Sequence, residues 1–108
     1  MKNIKKPGGI EMTTFKLTRG RTYQDFILAN EDVDKWLIKQ PGFKSRHIAQ
    51  QTDGTIIDTL IWASEKDGSD AMQRLMTELA DSPVHAAIDQ RTVSWNIYPI
   101  WHQITASH

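Results

Sequence analysis

The sequence predicts an α+β fold, a ferredoxin-like βαββαβ sandwich in which a four-stranded antiparallel sheet carries two helices on one face. Three observations predict it. Residues 10–17 and 92–104 alternate apolar and polar side chains with the period of a strand. Residues 42–64 read as one β-hairpin with Asp53-Gly54 at its tip. Two stretches with helical apolar spacing, residues 23–39 and 71–79, fall between the strands with short connections.

Residues 1–9 carry charge but no apolar run, so they read as a flexible N-terminal arm rather than a secretory leader. The domain then spans residues 10–104, with a tail at 105–108. Residues 10–17 form the first strand. Arg19-Gly20-Arg21 turns the chain, and Thr22 caps the first helix, with Asp25 as its capping-box partner. At 100° per residue, Tyr23, Phe26, Ile27, Val33 and Leu37 make one apolar stripe. Asn30 falls in the middle of that stripe and Asp34 one turn later. Glu31, Asp32, Lys35 and Lys39 form the solvated side. Gln40-Pro41-Gly42 ends the helix, because the residue before proline avoids helical geometry and glycine accepts the turn.

A two-residue Asp53-Gly54 loop of type I′ fixes the hairpin register. It places Ala49 opposite Asp58, His47 opposite Leu60 and Ser45 opposite Trp62. One face then carries Phe43, Ser45, His47, Ala49, Ile56, Asp58, Leu60 and Trp62. The other carries Lys44, Arg46, Ile48, Ile57, Thr59 and Ile61. Residues 65–68 read as a loop, with Ser69 or Asp67 capping a helix whose stripe is Ala71, Met72, Leu75, Met76 and Leu79. Asp81-Ser82-Pro83 breaks that helix; Ser82 caps and Pro83 opens a short turn over residues 84–88. The last strand puts Val93, Trp95, Ile97 and Trp101 on one face and Ser94, Asn96, Tyr98, Ile100 and His102 on the other.

Bulk composition narrows the function classes. A chain of 108 residues makes one domain. Thirteen basic and thirteen acidic residues balance, which leaves no electrostatic footprint for nucleic acid or an anionic membrane. With no cysteine there are no disulfides, thiolate metal sites or cysteine nucleophiles, as suits a cytoplasmic protein. No apolar run approaches the ~20 residues of a membrane span. Four scattered histidines lack metal-ligand spacing, so no metal is expected. No glycine-rich phosphate loop or dinucleotide fingerprint is present, so no nucleotide cofactor is expected either. Both sides of the later strands hold large apolar groups. The sheet face without helices therefore needs a cover; a second copy of the chain, face to face, is the expected one, and burial alone would also allow a different partner.

Pro41-Gly42-Phe43 opens the second strand, Asp53-Gly54 turns the hairpin, Trp62-Ala63-Ser64 ends the third strand and Ser82-Pro83-Val84-His85 follows the second helix. This pattern resembles the antibiotic biosynthesis monooxygenase domain of the dimeric α/β-barrel superfamily over residues 10–104. The resemblance implies a homodimer and a pocket between sheet and helices. Among the activities it implies is cofactor-free oxygenation of aromatic compounds. Its haem-degrading branch uses an Asn on the first strand, a Trp ending the third and a His on the second helix. Trp62 matches, but Thr13 stands at the first position and residues 71–79 hold no His. Haem degradation is therefore not expected. The aromatic-oxidising branch lines its pocket with Asn, Trp and Arg; the resemblance implies such parts for Trp62 and Asn30 and assigns no Arg.

Chemistry concentrates on the face of His47, Asp58, Ser45 and Trp62. His47 and Asp58 sit diagonally across the hairpin, as a general base and its orienting carboxylate would. Asn30 and Asp34 descend onto this face, and His85 stands at the pocket rim. The expected site thus has His47 and Asp58 as catalytic groups and Asn30, Asp34, Ser45, Trp62 and His85 around a small apolar or aromatic substrate. Such buried polar groups can equally pair with one another and fix helix to sheet. The alternative function is a dimeric module that binds a small molecule or a partner without turnover. An open cavity of ~300 Å³ or more favours ligand chemistry, and a filled interior favours the second reading.

Overall fold

The structure is a computed structural model and describes residues 7–106. Strand β1 (Gly9–Phe15) leads to helices α1 (Tyr23–Ala29) and α2 (Glu31–Ile38). Strands β2 (Phe43–Gln50) and β3 (Ile56–Trp62) follow, then α3 (Glu65–Glu78), α4 (Val84–Ala87) and β4 (Ser94–Pro99). The sheet order is β2-β3-β1-β4, with every neighbouring pair antiparallel. This is the expected ferredoxin-like α+β fold. The core lies between sheet and helices, around Phe15, Phe26, Leu37, Ile56, Leu60 and Trp62. Phe15 and Phe26 meet edge to face at 5.3 Å. Among the described residues no helix is long and apolar enough to cross a membrane.

Thr22 caps α1 through the capping box with Asp25, as its sequence predicts. The single helix expected over residues 23–39 is two. At Asn30 the backbone leaves helical geometry (φ −96°, ψ 2°). The Asn30 Nδ2 donates to the Phe26 carbonyl at 2.8 Å, and the Asn30 backbone N–H turns to Ile27 instead. A short polar side chain competing for backbone groups breaks the helix there.

The hairpin loop has three residues, not two. Gln51 N–H donates to Thr55 O at 2.8 Å and Gly54 N–H to Gln51 O at 2.9 Å. A type I′ turn would need positive φ at Asp53, whereas only glycines take it here; Gly54 alone does so in this loop, at +92°. The register accordingly slips by one residue. Ile48 lies opposite Asp58, Arg46 opposite Leu60 and His47 opposite Thr59. An irregularity between Phe43 and Ser45 places Phe43, not the expected Ser45, opposite Trp62, where the rings meet edge to face at 5.5 Å.

Helix α3 starts six residues before Ala71, because Ser64 caps it by accepting the Asp67 N–H. The stretch expected as a loop, residues 65–68, is its first turn. β4 ends at Pro99 rather than running to residue 104, since its partner β1 runs out: Ile100 N–H makes a further bond, to Gly8 O. Gly9, the last residue of the expected arm, already pairs with Trp62 and Pro99 in the sheet. Residues 1–6 of that arm and 107–108 of the expected tail lie outside the described residues.

Candidate functional site

Four strands and four helices converge on a cavity of about 380 Å³. Its wall is largely apolar, from Phe26, Val33, Leu37, Met72, Leu75 and Val84. Met76, Gln90, Val93 and Trp95 line it and are also exposed, so they mark its mouth.

Two polar groups are set into the sheet side of the wall. The first is centred on Arg46 of β2. Its Nε donates to Asp58 Oδ1 at 3.0 Å and its Nη2 to Asp58 Oδ2 at 2.7 Å, a bidentate pair. Nη2 also donates to Asn30 Oδ1 and Nη1 to Asp34 Oδ1, each at 2.8 Å. The Arg46 and Asp58 side chains are 10% and 11% exposed. Burial alone would pull the Arg46 pKa down; the bonds and charge of Asp58 and Asp34 more than offset it and hold the guanidinium ionised.

The second group is centred on Glu11 of β1, which is 3% exposed. Trp62 Nε1 donates to its Oε1 at 2.8 Å and Trp95 Nε1 to its Oε2 at 2.6 Å. Among the described residues no lysine or arginine bonds to it. Burial pushes the Glu11 pKa up; the indole bonds from Trp95 and Trp62 pull it back only in part, with Asp58 raising it and Arg46 lowering it. A carboxylate whose proton affinity is raised in a water-poor wall can take a proton from a bound molecule.

The sequence-predicted residues divide accordingly. Asn30, Asp58, Trp62 and His85 line the cavity. His85 donates from Nε2 to the Leu79 carbonyl at 2.8 Å. Asp34 reaches Arg46 from the solvent side, with its side chain 55% exposed. Ser45 and His47 do not face the cavity. His47 is exposed on the opposite face of the sheet, so the expected His47–Asp58 pair does not form, and Arg46 takes the place beside Asp58. The register slip is the cause.

Sequence reasoning missed Glu11, Arg46 and Trp95. Glu11 had a legible signal: it shares the strand phase of the buried Phe15. Two tryptophans on core-facing strand positions also need acceptors for their indole N–H groups. Among the described residues, no cluster of three or more His, Cys, Asp or Glu is arranged to hold a metal ion.

The fold and its cavity define a ferredoxin-like α+β domain with a site between sheet and helices. The fold is shared with solved structures described as antibiotic biosynthesis monooxygenases and oxygenases. SnoaB, a cofactor-independent oxygenase from Streptomyces nogalater, matches with a TM-score of 0.71 at 11% identity, over 93% of this chain and 99% of that one. The monooxygenase of the gene ActVA-Orf6 of Streptomyces coelicolor, solved with the ligand Nanaomycin D, matches with 0.66 at 22% identity, over 94% of each chain. A conserved protein from Methanosarcina mazei Go1 matches with 0.69 at 11% identity, over 88% and 94%. No protein-family model matches the chain, and no curated protein matches it significantly in sequence. At these identities the likeness is one of fold.

Proposed function

We propose that the chain is a cofactor-independent monooxygenase of a small aromatic or enolisable compound held in the cavity between sheet and helices. One observation carries this reading. Glu11 is a buried carboxyl with raised proton affinity, held by two indole N–H groups in the wall of an apolar cavity. The solved neighbours described as oxygenases support it at the level of fold.

In this chemistry Glu11 takes the proton of an activated C–H bond. The electron pair left on carbon passes to dioxygen and a C–O bond forms. The O–O bond then breaks with loss of water, so that a CH₂ group and O₂ become C=O and H₂O. The apolar wall of the cavity surrounds the reacting carbon, and the Trp62 and Trp95 indole N–H groups hold in place the Glu11 carboxylate that takes the proton. Glu11 thereby takes the role expected of His47. The site works in a dimer formed through the helix-free sheet face.

Oxygen uptake on anthrone-like, quinol and furanone compounds tests the reading. The expected result is uptake with at least one class, lost by ~10²-fold or more in Glu11→Gln and retained in His47→Ala. No uptake with any class, or uptake unchanged in Glu11→Gln, would overturn it.

A further inference from the structure

The charges around the cavity are unequally compensated. The charged or titratable groups of its lining are Glu11 on β1, Arg46 on β2, Asp58 on β3 and His85 on α4; α3 and β4 contribute none. Arg46 spends its charge on Asp58 and, from outside, on Asp34. Among the described residues, Glu11 is hydrogen-bonded by the two neutral indoles alone. The polar wall therefore carries one positive charge against two negative ones when Glu11 is ionised, with Asp34 adding a third behind Arg46. An anionic ligand entering this apolar space would lose its hydration and, among the described residues, meet no free cation in the wall. A neutral O–H or activated C–H donor meets an acceptor in Glu11 and an apolar surface everywhere else.

The geometry points to a cavity that selects by charge: we propose that it takes uncharged phenols and enols and rejects their carboxylated counterparts. This rests on the reading of the cavity as the substrate site, and it narrows the substrate class to compounds without an acidic group ionised at neutral pH. It also assigns Glu11 a second task. The group that takes the proton is the group that turns anions away.

Calorimetric titration of the unmodified protein at neutral pH, without turnover, tests this with three ligands: 1-naphthol, 5-hydroxy-1-naphthoate and the methyl ester of that acid. The ester keeps the added bulk and removes the charge. The expected result is binding of naphthol and ester, with the acid at least ten-fold weaker than the ester. An acid-to-ester Kd ratio below ten overturns the inference, as does failure of both neutral ligands to bind. In Glu11→Gln, where it folds, the ratio should fall toward one; a ratio unchanged there would show that Glu11 is not the source of the discrimination and overturn the assignment. Charge-selective binding without oxygen uptake would leave this inference standing and remove the proposed activity.

Discussion

Glu11 and Arg46 are both ionisable groups taken out of water, and they are held there by different means. Arg46 is neutralised at short range by a bidentate carboxylate, the geometry that suits a guanidinium. Removing one partner of such a pair strands the other and costs ~3–5 kcal/mol. Glu11 relies on two indole N–H donors, which satisfy its oxygens without cancelling its charge. That difference makes Trp95 a positioning residue. Burial pushes Glu11 up and the Trp95 bond pulls it back. A carboxyl raised by folding contributes stability that is complete below its unfolded pKa and is lost as pH rises through the folded value. Trp95→Phe removes a donor and lifts Glu11 further. The variant should be destabilised by ~1–3 kcal/mol at neutral pH and by less in acid where Glu11 is protonated. The acid limb of kcat/KM should move to higher pH. Urea melts across pH check the first part; a deficit independent of pH would leave only ring packing. Asn30, Asp58, Trp62 and His85 were legible because helical spacing, strand alternation or a turn signal places them without the hairpin register. Arg46 was not, because its face depends on that register.

At the scale of the element, misreadings came from competition among local signals. Asp53-Gly54 serves two loop types, and side-chain pattern alone does not separate them. Asn30 marks the helix break, but its place in an apolar stripe reads equally as continuation. Gly68 hid the start of α3, since glycine weakens a helix by ~0.5–1 kcal/mol relative to alanine. The structure explains its presence. A Cβ at Gly68 would stand 2.8 Å from Trp62 Cδ1 and press on the Ile97 side chain as well. The missing side chain lets α3 lie close over β3 and β4 and so seats Trp62 against Glu11. Gly68→Ala should therefore destabilise, since overpacking of ~1–3 kcal/mol exceeds the gain in helix propensity. Gln73→Ala on the exposed side of the same helix should be near neutral or stabilising. Chemical denaturation of both variants separates the effects. A Gly68→Ala protein as stable as the parent would mean that α3 is free to shift away from the sheet.

The whole molecule presents two unlike sheet faces, and the slip exchanged the contributions of β2 to them. The expected division put Lys44, Arg46 and Ile48 on the helix-free face; Arg46 and Ile48 lie toward the helices, and Ser45, His47 and Ala49 replace them. Ile57, Thr59 and Ile61 stand where the sequence placed them. The pairing aligns Tyr98, Ile10, Ile61 and Ser45 in one row across all four strands, with Asn96, Met12, Thr59 and His47 in the next. The apolar members concentrate on the two central strands and β4, while β2 is now small and polar. A second copy covering this face would centre on Ile10 and Ile61, not on β2. Stable pairs bury ~1,200–2,000 Å² in total, and a charge at the centre of such a patch costs more than one at its rim. Ile61→Glu should thus convert a dimer to a monomer in analytical ultracentrifugation, whereas His47→Ala on the β2 side should leave the dimer intact. Both side chains lie across the sheet from Glu11 and the cavity. Retained naphthol binding in the Ile61→Glu monomer would show that one chain completes the site, and loss of binding on dissociation would make the dimer part of the binding machinery. A parent chain that sediments as a monomer would remove the face-to-face pairing altogether.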